Sequence, residues 1–95
     1  MSDILNEAVD GLKERLAGKN LGGSVRFDIK EEGSIHVDGD QVRISDDDAD
    51  CTLGASEKNF RKLLEGKLNP TMAVMSGKLR IGGDMTIAVK LAANL

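Results

Sequence analysis

The segment from Met85 to Leu95 constrains this chain more than any other. Its polar residues are Thr86, Lys90 and Asn94, spaced four apart, which puts them on one narrow stripe of a helix. Every other position is Met, Ile, Val, Leu or Ala. A helix lying on a sheet needs an apolar arc of about 100°, and this one offers far more. One side therefore predicts a sheet beneath it. The surplus side predicts a second apolar surface, a partner or a ligand. Burying one spare Leu or Met side chain is worth about 1.5–3 kcal/mol, so leaving several in water is a marked liability.

Upstream, Gly82-Gly83 turns a short strand into this helix, with Asp84 as its N-cap. The strand alternates Leu79 and Ile81 with Lys78 and Arg80. Before it, Asn69 caps a short helix with Pro70 at the first position, where a missing N–H costs nothing. Met72, Ala73, Val74 and Met75 follow, and Gly77 ends that helix. A longer one runs from an N-cap at Ser56 to a C-cap at Gly66, with Phe60, Leu63 and Leu64 facing inward.

In the first half, residues 3–17 read as a helix with Ile4, Leu5, Ala8, Val9, Leu12 and Leu16 in one stripe. Ser2 or Asp3 would cap it and Gly18 would stop it. The period then falls to two. Val25, Phe27 and Ile29, then Ile35 and Val37, then Val42 and Ile44, then Cys51 and Leu53 mark four strands. Glu31-Glu32-Gly33 and Asp38-Gly39 supply turns, and an acidic loop precedes the fourth strand. The strands read as a meander with one apolar face that helices must cover. Nothing in residues 1–95 reads as a linker or a repeat, so one domain is expected.

The net charge of -3 and the restriction of aromatics to Phe27 and Phe60 argue against nucleic-acid binding. Cys51 stands alone, as suits a reducing compartment. The first residues lack the basic start and apolar run of a secretion signal, and no stretch approaches the roughly 20 apolar residues of a membrane span. A cytoplasmic location is the expectation.

Candidate chemistry is sparse. His36 falls on the polar parity of its strand, without a second histidine or paired cysteines, and reads as a surface residue with no zinc site or triad around it. Asp46, Asp48, Asp50 and Glu57 brush against calcium-loop spacing. Cys51 occupies the required glycine position and a strand follows, so a solvated acidic loop is the better reading. Gly77 and Gly82 have phosphate-loop separation, but Gly83 stands where lysine is needed. Cys51 has inward parity and reads as a small core residue. No acid–base or metal pairing remains, so neither an enzyme nor a cofactor is expected.

One ordered series carries more information. Ala49-Asp50-Cys51-Thr52-Leu53, Phe60, Gly66-Lys67-Leu68-Asn69-Pro70, Gly77-Lys78-Leu79-Arg80-Ile81 and Gly83-Asp84-Met85 together resemble the sterol carrier protein type 2 family of lipid-binding domains. The resemblance implies an α+β fold, a five-stranded mainly antiparallel sheet covered on one face by helices, with an apolar cavity between. It also implies a carrier or presenter of fatty acids, acyl-CoA, sterols or isoprenoids, with no chemistry of its own. The chain departs from the family in having Val74-Met75 where an aromatic pair is usual. It ends Ala93-Asn94-Leu95, without the basic residue of a peroxisomal address. Its compact form looks like the free-standing bacterial versions.

On this reading Phe60, Leu64, Met72, Met75, Ile81, Met85, Val89 and Leu91 line the cavity, Phe27 and Val37 supply its floor, and the last helix is its lid. Unbranched methionines suit a variable guest. Lys58, Arg61, Lys62 and Lys67 gather on the second long helix and its exit, as a solvated face or as a weak contact with anionic membrane. The alternative is an interaction module, in which the surplus face of the last helix forms a homodimer or presents a lipid intermediate, such as a quinone precursor, to enzymes.

Overall fold

The computed structural model describes residues 3–16, 21–39 and 41–94. In chain order the elements are α1 (Asp3–Leu16), β1 (Val25–Ile29), β2 (Gly33–Asp38), β3 (Gln41–Ile44), β4 (Cys51–Ala55), α2 (Glu57–Leu64), α3 (Pro70–Met75), β5 (Leu79–Gly83) and α4 (Met85–Asn94). The expected cap at Ser2 and stop at Gly18 lie outside the described residues, as do Leu95 and the side chain of Asn94.

The other helix ends follow the capping chemistry of their residues. Ser56 Oγ accepts from the Asn59 N–H at 3.2 Å and starts α2. At its exit Gly66, at φ 75°, donates to the Leu63 carbonyl while Lys67 N–H reaches the Lys62 carbonyl. This paired closure on a left-handed glycine recurs after α3, with Gly77 and Lys78 bonded to Val74 and Ala73. Asn69 Oδ1 accepts from the Thr71 and Met72 N–H groups, and Asp84 Oδ1 from that of Thr86. Between them these bonds satisfy first-turn donors that a helix leaves open.

The sheet order is β3-β2-β1-β4-β5. β1, β2 and β3 are joined as successive antiparallel hairpins. The expected four-strand meander stops there. β4 crosses to the far side of β1 and runs parallel to it, Phe27 opposite Leu53, and β5 closes the sheet antiparallel to β4. Parity along a strand fixes which residues share a face, but not which neighbour the strand pairs with.

The helices cover one face. Ile4, Ala8, Leu12 and Leu16 turn α1 onto β2 and β3, while α3 rests on β5 and α4 on β4 and β5. Val25, Phe27, Ile29, Ile35, Val37, Leu53 and Leu79 rise from the sheet into the same cluster.

The other face is crossed by residues 45–50 on their way from β3 to β4. Arg26 donates to the Asp46 carbonyl at 3.3 Å, and the Ser24 N–H to Asp50 Oδ2 at 3.0 Å. This crossing corrects the reading of His36 as a surface residue: it is only 5% exposed. Its Nε2 lies 3.2 Å from the Asp48 carbonyl, which can only accept, so Nε2 carries the proton. Nδ1 is buried without a hydrogen-bond partner among the described residues.

Candidate functional site

The seam between helices and sheet holds most of the expected lining. Phe27, Leu53 and Ile81 are register partners across β1, β4 and β5, so they form one row beneath the helices. Phe60 of α2 meets Phe27 edge-on, with ring centroids 5.7 Å apart. Phe27, Val37, Phe60 and Leu91 are buried, and Leu64 and Ile81 are partly buried against the same cluster. Leu63 of α2, expected to face inward, shares this layer, as do Ile87 and Ala88 of α4, which were not among the expected lining residues. The buried side chains of this seam form one continuous cluster.

The remaining four expected residues stand outside it. Met72 is 64% exposed, Met75 80%, Met85 57% and Val89 67%. Among the described side chains of α4 the buried ones are Ile87, Ala88 and Leu91, while Met85 and Val89, one turn apart, leave a second apolar side in solvent. The surplus face expected from the sequence therefore exists. A helix apolar on two sides gives no signal of which side turns inward, so the sequence does not separate Met85 and Val89 from Ile87.

A groove of about 1030 Å³ opens elsewhere, chiefly on the face that the helices leave bare. Ser34, Asp28, Gly54 and Arg80 form one register row there. Gly54 interrupts the side chains between the Asp28 carboxylate and the Arg80 guanidinium. A Cβ added at Gly54 would make only ordinary contacts, 3.8 Å to Arg80 Cβ and 4.0 Å to the Asp28 carbonyl. Acidic Glu31 and basic Lys30 and Lys78 also line this groove. Ile29, Ala55 and the expected lining residue Ile81 also reach this groove, so its walls mix charged and apolar surface. The only sequence signal for it was a glycine inside a strand.

Electrostatics separate α2 from α3. Arg61 of α2 pairs with Glu7 of α1 at 2.6 Å and with Glu57 at 3.5 Å, and hydrogen bonding to Glu7 raises the pKa of its guanidinium. Lys67 lies 3.2 Å from Glu65. Two of the four basic residues read as a membrane contact are therefore matched by carboxylates. Burial, with a smaller contribution from the Asp84 charge, raises the pKa of the Cys51 thiol, which keeps it protonated. Among the described residues no group of three or more His, Cys, Asp and Glu is disposed to hold a metal ion. Among them too, no helix is long and apolar enough to cross a membrane.

Comparison with known proteins matches residues 4–95 to the SCP-2 sterol transfer family. The chain is 38% identical over 92 residues to hydroxysteroid dehydrogenase-like protein 2 of Bos taurus, covering 96% of this chain and 21% of that protein. It is 37% identical over 83 residues to sterol carrier protein 2 of Homo sapiens, covering 77% and 15%. The chain thus spans about a fifth or less of the length of these two relatives. The solution structure of Aedes aegypti sterol carrier protein-2 in complex with palmitate shares the fold at a TM-score of 0.76 and 21% identity, covering 100% of this chain and 99% of that one. The UbiJ-SCP2 ubiquinone synthesis protein has a TM-score of 0.58 at 28% identity, covering 98% and 74%. The family match extends over both the seam and the exposed helices beside it, and this chain belongs to the SCP-2 sterol transfer family.

Proposed function

We propose that this chain binds a long apolar lipid (a fatty acid, acyl-CoA, sterol-like or isoprenoid molecule) between its helices and its sheet, and carries it through water. Family membership supports the reading, as does the Aedes aegypti relative solved with palmitate. The observation that carries it is the exposure of Met72, Met75, Met85 and Val89 on two helices that both pack on β5. Those side chains are costly in water and have no partner in the closed seam.

The mechanism is desolvation. A guest wedges α3 and α4 away from the edge of the sheet, and the exposed methionines fold onto it. Phe27, Val37, Phe60, Leu64, Ile81 and Leu91 then meet the guest from inside. Apolar burial contributes about 25 cal/mol per Å², less the costs of association and of parting the packed seam. No residue has to titrate or attack, so the domain acts as a carrier in the cytoplasm and not as an enzyme. Lys58, Arg61, Lys62 and Lys67 would add at most a weak contact with a donor membrane. A second reading, presentation of a quinone precursor to other enzymes, is favoured by the 28% identity to the ubiquinone synthesis protein.

Native mass spectrometry of the purified protein, with identification of extracted lipid, separates the two readings. Uptake of a fluorescent fatty acid should be abolished by Met75→Asp and by Met85→Asp, with far-ultraviolet circular dichroism preserved. Undiminished uptake in both variants overturns the site.

A further inference from the structure

We propose that α3 is a membrane-docking wedge, which presses Met72, Val74 and Met75 into the headgroup region of an anionic bilayer. This deepens the carrier reading by naming the surface through which the lipid is collected, and its purpose rests on that reading. Ala73 is the buried residue of α3 and faces β5. The other apolar side chains occupy the outward arc, with Met72 64%, Val74 37% and Met75 80% exposed. Apolar residues crowded on one short exposed helix mark an interaction surface.

Charge says which partner. The chain carries sixteen acidic residues and a net charge of -3, yet none of the acidic residues lies between Gly66 and Gly83. That stretch holds Lys67, Lys78 and Arg80, with one lysine on each side of α3. Basic residues flanking outward apolar side chains match an anionic lipid surface. The α2 surface offers less, because Arg61 there is held by both Glu7 and Glu57, whereas Lys67 beside α3 has only the exposed Glu65 near it, a pair that water screens. A second copy of this chain fits poorly: a two-fold interface at α3 would face lysines with lysines. Three side chains also fall short of the roughly 800 Å² per partner of a stable protein interface. A bilayer needs neither symmetry nor a large flat area.

The absence of tryptophan allows a direct test. Val74→Trp places a single reporter on the outward arc, and Ile44→Trp places one on exposed β3 as control. Mixed with vesicles of equal phosphatidylglycerol and phosphatidylcholine, Val74→Trp should shift to the blue and be quenched by brominated lipid, while Ile44→Trp should do neither. The double variant Lys67→Ala/Lys78→Ala should bind these vesicles about 30-fold more weakly. Its uptake of monomeric fluorescent fatty acid in vesicle-free solution should be unchanged.

Vesicle binding without a shift at residue 74 overturns the proposal. So does binding that is lost in Lys58→Ala/Lys62→Ala and kept in Lys67→Ala/Lys78→Ala. A blue shift without vesicles, accompanied by dimer in sedimentation, assigns α3 to a second copy and also overturns it. If vesicles bind as expected but no fatty acid is taken up by the unmodified chain, the carrier reading fails and the docking surface stands.

Discussion

Phe27 of β1 and Phe60 of α2 meet edge to face, their ring planes inclined at 67°. They join the sheet to the helical layer at the centre of the proposed site. Removing the α2 ring by Phe60→Ala should cost about 3–5 kcal/mol, a large share of the stability of a domain this small. Beyond plain burial, such ring pairs contribute about 0.5–1.5 kcal/mol. A double-mutant cycle with Phe27→Leu and Phe60→Leu, read by urea denaturation, should return a coupling in that range. Strictly additive losses would show that the rings merely share a core.

Glu31 is the one non-glycine residue with positive φ among those described, at 68°. It is the middle of the three residues linking paired Ile29 and Gly33. Holding an ordinary side chain there costs roughly 1–2 kcal/mol. Asparagine tolerates this conformation, so Glu31→Asn should raise stability by about 0.5–1 kcal/mol. A β-branched Glu31→Val should lower it by at least about 1 kcal/mol. Equal thermal midpoints for the two variants would contradict the backbone account.

Element identity was legible because each cap and each alternation is local chemistry. Ser56, Gly66, Asn69, Gly77 and Asp84 perform the roles that their side chains, or lack of them, permit. Phe27 and Phe60 were legible as inward-facing residues from period alone. What remained hidden is non-local. The parallel pairing of β4 with β1 depends on where residues 45–50 travel, and His36 is buried because they travel over it. On α4 the sequence is apolar on both sides, so packing against β4 and β5 chose Ile87 and left Val89 outside.

Gly83 stands where the end of β5 passes the start of β4. Its φ is 85°, and the following Asp84 N–H donates to the Asp50 carbonyl at 2.8 Å. A Cβ on Gly83 would overlap that carbonyl and lie 3.1 Å from Cys51 Cα, with no flexible side chain to yield. Gly77 has a similar φ of 77° but open space around it. Gly77→Ala should therefore cost only the backbone strain, about 1 kcal/mol. Gly83→Ala should exceed it by a further roughly 1–3 kcal/mol as the strands part. Comparable urea midpoints would mean that the chain relieves the overlap cheaply.

Cys51 is buried in β4 with its thiol pKa raised, mainly by burial and then by the Asp84 charge. An unfolded thiol loses its proton near pH 8.5, while the folded one keeps it to higher pH. Below that value both states are protonated and the thiol adds no pH dependence. Above it the unfolded state holds fewer protons, so stability falls, by up to about 1.4 kcal/mol per pH unit, until the folded thiol also ionises. Urea midpoints taken near pH 7 and pH 9.5 should therefore drop further for the unmodified chain than for Cys51→Ala. Lysine titration is common to both proteins and cancels in the comparison. A thiol reagent should react with Cys51 only at the rate of opening of the sheet, and rapid modification in native buffer, or identical alkaline losses in the two proteins, would mean that this thiol is not held in the core.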